Sequence, residues 1–173
     1  MSPTIGTEFL PTTTTSPYAV PAMIDAAYVN RVLAGLDAVD GDITRMAVSV
    51  QRLRPELLDR LKALYADDPM RLQVEVLAQD ARAGFKGYAT NPGNRTTAVA
   101  ELLTATPDCI FAHVKRDYGP VAKRTDSQLV DEWVGLVPLG SFRDPNHYNN
   151  TGWIYIYDGF EEGHVMPKNP CAG

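Results

Sequence analysis

Three short runs rich in β-branched and aromatic residues, all lying between Cys109 and Asp158, constrain the fold more than any other feature of the chain. They span residues 109–115, 130–137 and 152–158, and each is bounded by Gly, Pro, Asn or Asp. Such residues suit a pleated, half-buried surface, so the three runs read as strands. Connections of about a dozen residues join them, which suits an antiparallel meander with long loops better than tight hairpins.

Helical spacing dominates what comes before. Pro21 suits a first turn, and Ile24, Tyr28, Val32, Leu36 and Val39 follow at helical intervals. Asp40-Gly41-Asp42 reads as a stop and a new cap, with Ile43, Met46, Ala47 and Val50 forming a second stripe. Pro55 opens a third helix carrying Leu57, Leu58, Leu61, Leu64 and Tyr65. Asp67-Asp68-Pro69 repeats the cap-then-proline signal. Leu72, Val74 and Val76 alternate like a strand, but the cap and the Ala-rich end at Ala83 favour a helix. A loop over residues 84–93 leads to a short helix expected at residues 98–104, and Pro107-Asp108 then delivers the chain into the sheet. Helices first and strands afterwards is the α+β pattern. The expectation is therefore N-terminal helices packed on one face of an antiparallel sheet of at least three strands.

With 173 residues, one domain over 18–173 is the natural prior, preceded at 1–17 by a Thr/Pro-rich tether or a remnant of cloning. A net charge of -5 argues against a nucleic-acid or anionic-membrane surface, which needs clustered Lys and Arg. The densest basic stretch, Lys115-Arg116 with Lys123-Arg124, is interrupted by acids and reads as solvated strand ends and loop. No apolar run approaches a membrane span, and no export leader is visible.

Cys109 opens the first strand run and Cys171 ends a Pro-rich tail. A bond between them would close a loop of about sixty residues and pin that tail, for roughly 4 kcal/mol in the chain-entropy model. Two reduced cysteines are the alternative. A tail cysteine has no evident core role, so the disulfide reading is adopted, and it implies an oxidising, extracytoplasmic setting.

Strand alternation divides the side chains into two faces. Ile110, Ala112, Val114, Val134, Leu136, Ile154 and Ile156 form an aliphatic set expected to meet the helices. Phe111, His113, Trp133, Val137, Trp153, Tyr155 and Tyr157 form an aromatic set with polar tips. His113, Trp133, Trp153, Tyr155 and Tyr157 are the candidate ligand or partner surface, where rings supply area and hydroxyls supply direction. The bland reading is that these rings simply pack a core or an interface. For catalysis, Asp117, Glu132 and Asp158 are the acids that could partner His113. No nucleophile elbow, zinc-protease, phosphate-loop or dinucleotide motif is present, and nothing implies a cofactor or a metal.

Residues 18–171 resemble a group of small actinobacterial cell-envelope, lipoprotein-like proteins. The resemblance rests on Tyr18-Ala-Val-Pro-Ala-Met-Ile-Asp25 with Ala27-Tyr-Val-Asn-Arg-Val-Leu33, on Pro107-Asp-Cys-Ile-Phe111, on Thr151-Gly-Trp153 with Tyr157-Asp-Gly-Phe160, and on Asn169-Pro-Cys171. It implies export behind a leader and tether, and it supplies no activity and no catalytic residues. More distantly, the element order is similar to the nuclear-transport-factor or cystatin-like α+β cone, a fold that hosts enzymes and scaffolds alike. Two functions are expected from these features. One is a non-catalytic extracytoplasmic domain offering a protein-interaction or self-association surface at the cell envelope. The other is a pocket protein for a small ligand, with weak hydrolase or isomerase chemistry as an extension.

Overall fold

The computed structural model describes residues 15–123 and 129–172. Helix α1 runs over Ala26–Val50, and the Asp25 side chain caps it by accepting from the Tyr28 backbone N–H at 2.8 Å. Its stripe of Tyr28, Val29, Val32, Leu33, Leu36 and Ile43 is buried. The expected break at Asp40-Gly41-Asp42 does not occur. A glycine is tolerated here because the loop before the sheet packs against it: a Cβ at Gly41 would collide with the Asn94 side chain. Tertiary packing, and not a turn, selects this glycine.

Helix α2 (Pro55–Leu64) and helix α3 (Asp67–Arg82) form as expected, with Pro55 in the first turn of α2 and two acids in the first turn of α3. The four strands are β1 (Thr96–Thr106), β2 (Cys109–Asp117), β3 (Leu129–Pro138) and β4 (Trp153–Gly159). They pair antiparallel in the order β1-β2-β3-β4. The fold class is thus α+β, three helices packed with a four-stranded antiparallel sheet.

Strand β1 replaces the short helix expected at 98–104. Its Ala and Leu residues favour a helix, but pairing along the length of β2 outweighs that local preference. The Thr106–Cys109 pairing makes Pro107-Asp108 a tight hairpin turn between two strands, where a passage from helix to sheet was expected. Register shifts at Val99/Glu101 and Leu102/Thr104 mark irregularities of the bulge type in β1.

The main core lies between the helices and the inner face of the sheet, where Ile110, Ala112, Val114, Val134 and Leu136 meet α1 and α2. β4 does not follow the expected phase. Trp153 and Tyr155 face inward, while Ile154 pairs with Val137 on the other side. Trp153 Nε1 donates to the Tyr28 hydroxyl at 2.8 Å, and the Tyr155 ring stacks on Tyr65 at 5.4 Å. An irregularity at Gly135/Leu136 inserts Ile156 as an extra residue, so Tyr155 and Asp158, three apart, both reach the inner face.

Cys109 and Cys171 form a disulfide. The bond carries the C-terminal tail across the outer face of the sheet. Asn169 Nδ2 donates to Thr104 Oγ1 at 3.1 Å, and Pro170 lies so close to Gly135 that a Cβ there would stand 2.7 Å from its ring. Phe111 pairs with both Thr104 and Gly135 and is buried, though it belongs to the outer face. Gly135 is therefore required by close approach of the tail.

Replacing both cysteines by alanine removes a closed loop of this length and is expected to cost about 4 kcal/mol of unfolding free energy in urea. Alkylation of the denatured protein is expected to add no label before reduction and one label at each cysteine after it.

Candidate functional site

The five sequence-derived surface residues divide between two faces. Trp153 and Tyr155 are core residues, 1% and 0% exposed. His113, Trp133 and Tyr157 lie on the outer face. His113 stacks on Trp133 with centroids 4.9 Å apart, and its Nε2 is 2.9 Å from Asp131 Oδ1. Tyr157 donates its hydroxyl to Glu161 at 3.3 Å. His113 therefore pairs with Asp131, an exposed neighbour in sequence to Glu132. Glu132 and Asp158 point to the opposite face, so the acid–base pairing of His113 with either of them is not formed.

Those two carboxylates belong to a buried cluster on the inner face. Arg116 on β2 is 1% exposed and stands at its centre. This corrects the reading of Lys115-Arg116 as a solvated pair: Lys115 is exposed, and Arg116 is not. Arg124 lies outside the described residues. Arg116 Nη1 donates to Glu132 Oε2 on β3 and to Asp158 Oδ1 on β4, the latter at 2.6 Å, while its Nε donates to Thr97 on β1 at 3.0 Å. Arg95, just before β1, donates from Nε to Asp37 of α1 at 3.0 Å and from Nη2 to Asp158 at 3.4 Å. Asp40 of α1 lies 3.5 Å from the same Nε. Tyr118 closes the far side by donating to Glu132 at 3.0 Å, and Tyr65 donates to Asp158 at 3.2 Å. Both guanidinium groups lie about 6 Å from the centre of the Tyr155 ring, within reach of its electron-rich face.

The electrostatics follow from burial and from these partners. Burial pushes the Asp158 carboxyl up, but Arg116 and Arg95 more than offset it and hold the group below its ordinary range. For Asp37 burial wins over Arg95, Arg116 and Thr97, and its pKa rises. Burial raises Tyr118 to about 12 against the pull of the two arginines. The Tyr65 and Tyr155 hydroxyls are raised by burial as well.

A cavity of about 280 Å³ opens beside this cluster, between α1, α3 and the sheet. Arg95, Arg116, Glu132 and Asp158 form its polar wall, and Asp40 and Tyr118 extend it. Ile43, Leu61, Val76, Leu77 and Val121 supply an apolar wall opposite. Among the described residues, buried side-chain atoms without a hydrogen-bond partner are Asp37 Oδ2, Arg60 Nε, Arg116 Nη2 and Tyr155 Oη. All but Arg60 belong to the cluster, and Arg116 also lines the cavity. No group of three or more His, Cys, Asp or Glu among the described residues is arranged to hold a metal ion. No helix among them is long and apolar enough to cross a membrane.

Strand alternation carried the signal for this site. Arg116 is in phase with Ile110, Ala112 and Val114, and Glu132 is in phase with Val134 and Leu136. A charged residue in phase with a buried aliphatic set is either a strand end or a buried partner, and here two such residues meet. Asp37 falls within the buried stripe of α1 in the same way, with Asp40 half-buried beside it. Arg95 falls between the loop expected at 84–93 and the helix expected at 98–104, and no local pattern marks it.

Compared with protein-family models, with curated proteins and with solved structures, the chain gives no match. The resemblance to envelope proteins rests on the residues quoted for it, and that to the cone fold on element order alone.

Removing Asp158 leaves two buried guanidinium groups short of a partner. Asp158→Ala is expected to cost about 3–5 kcal/mol at neutral pH. Because the folded carboxyl titrates below its ordinary value, its contribution is complete above that value and fades as pH falls through the depressed one. The deficit of Asp158→Ala relative to the native chain should therefore shrink below about pH 4 in urea unfolding measured across pH. Asp37 acts in the opposite sense, since its raised pKa makes ionisation costly as pH rises above the ordinary carboxylate range.

Proposed function

We propose that this domain is an extracytoplasmic binding protein whose inner cavity holds a small, neutral, polyhydroxylated or amide ligand. The observation that carries the reading is Arg116, fully buried, lining the cavity, and with Nη2 lacking any partner. A buried donor left unmade costs about 1–3 kcal/mol, and more for a charged group, so a native fold keeps one where something else satisfies it. An acceptor oxygen on a ligand does so once the Arg116 side chain turns toward the cavity, since Nη2 is itself closed off from it here.

The surrounding charge narrows the chemistry. Asp37, Asp40, Glu132 and Asp158 outnumber Arg95 and Arg116, so a fully anionic ligand meets net repulsion. A neutral molecule with both acceptors and O–H or N–H donors satisfies Arg116 and donates to the carboxylates. The aliphatic wall takes its C–H face, as in other small-molecule pockets. A volume of about 280 Å³ limits the ligand to a small molecule of roughly single-ring size. A binding role also fits the proton chemistry, because Tyr118 is displaced upward and Asp158 downward, both away from neutrality. The disulfide supports the extracytoplasmic setting.

The test is an amide chemical-shift titration with neutral polyols, hexoses and N-acetylated hexosamines, against acetate and sulfate as anionic controls. A neutral compound is expected to shift Thr44, Gln73, Val121 and Gly159 saturably. Val76→Trp, a substitution at the half-exposed rim of the cavity, should lower that affinity by at least about tenfold with the fold retained. If no neutral compound moves these amides, or the anions bind equally well, the reading fails.

A further inference from the structure

A second, wider recess of about 680 Å³ runs along the outside of the molecule between α3 and β4. Asp68, Leu72 and Glu75 line it from the helix, and Ile156, Phe160 and Glu161 line it from the strand and the segment after it. β4 is the last strand of the sheet. Its outer side is closed at one point, where the Ala66 N–H donates to the Tyr155 carbonyl at 2.8 Å beside the Tyr65–Tyr155 bridge. Past Tyr155, within β4 itself, no other bridge is made on that side among the described residues, and Glu161, just beyond the strand, bridges to Val165 of its own turn. An edge strand left open is ordinarily blunted by Lys or Pro, and β4 contains neither.

The walls have a definite chemistry. Leu72 is 55% exposed and Phe160 42%, which leaves apolar side chains flanking the open edge. Asp68, Glu75 and Glu161 add carboxylates, against the single cation Arg71, which is already 3.5 Å from Asp68. An apolar channel with an acidic margin and a bare strand edge matches an extended segment that pairs through its backbone and places apolar and basic side chains alternately.

We infer that the groove between α3 and the β4 edge docks an extended, Lys- or Arg-bearing peptide segment of a partner protein by strand addition. A second copy of this chain fits less well, because a two-fold contact here sets the same carboxylates against one another.

The experiment uses the isotope-labelled full chain and capped peptides of alternating valine and threonine that carry either lysines or glutamates. The lysine peptide should shift the amides of residues 72–75 and 156–161 and bind at least about tenfold more tightly than the glutamate peptide. Methylating its alternate backbone nitrogens should abolish binding, since strand addition needs those N–H groups. Glu75→Lys, at an exposed position, balances the carboxylates of the groove and should remove most of the preference for the lysine peptide while the fold is unchanged. Absence of shifts, equal binding of both peptides, or binding that survives N-methylation would overturn the inference. So would a concentration-dependent dimer that protects these same amides, which would assign the edge to a second copy.

Discussion

Two guanidinium groups removed from water set the terms for the rest of the molecule. Arg95 and Arg116 are 5% and 1% exposed, and a buried cation is tolerable only with acids and acceptors fixed around it. Those partners come from α1, β1, β3 and β4, with Tyr65 supplied from the end of α2. Each element must dock in one position for the charges to be met. The irregularity in β4 follows from the same demand, since it lets Asp158 reach the two arginines while Tyr155, three residues earlier, still packs on Tyr65.

The two faces of the sheet are finished by different means. On the inner face, long aliphatic contact with α1 and α2 grades into the charged cluster and then into the cavity. On the outer face no helix among the described residues covers Phe111, and the C-terminal tail does so, held by the disulfide and by Asn169. A tail of so few contacts gains most from a covalent anchor, which restricts the unfolded chain as much as it secures the folded one. The His113–Trp133 stack lies on the same outer face, partly open to solvent.

Much of this was legible in the residues, and the failures have physical causes. The helices around Leu33 and Leu61 and the three aromatic strands follow from periodicity, the helix around Leu77 from its cap and Ala-rich end, and the pairing of Cys109 with Cys171 from a tail that otherwise lacks an anchor. Gly41 misled because a close neighbour, Asn94, and a helix stop call for the same residue. Residues 98–104 misled because local propensity and long-range pairing disagree, and pairing along β2 won. Trp153 and Tyr155 were placed on the wrong face because alternation fixes phase within a strand but not its register with the neighbour, and an inserted residue changes even the phase. The charged cluster was missed for a related reason: Arg116 was judged by the charge of its neighbours along the chain rather than by its phase with Val114.

On the proposed binding role, the charges at residues 116, 132 and 158 are kept for a ligand in the cavity and not for stability. Buried ion pairs replaced as a set by apolar or neutral residues often leave stability unchanged, whereas breaking one partner does not. The most direct measurement is urea unfolding of the combined variant Arg116→Met, Glu132→Gln, Asp158→Leu, in which Arg95 retains Asp37 and Asp40. The account predicts a folded chain within about 1 kcal/mol of the native protein. A combined variant that fails to fold, or loses as much stability as the single loss of Asp158, would contradict it and make the cluster a structural necessity.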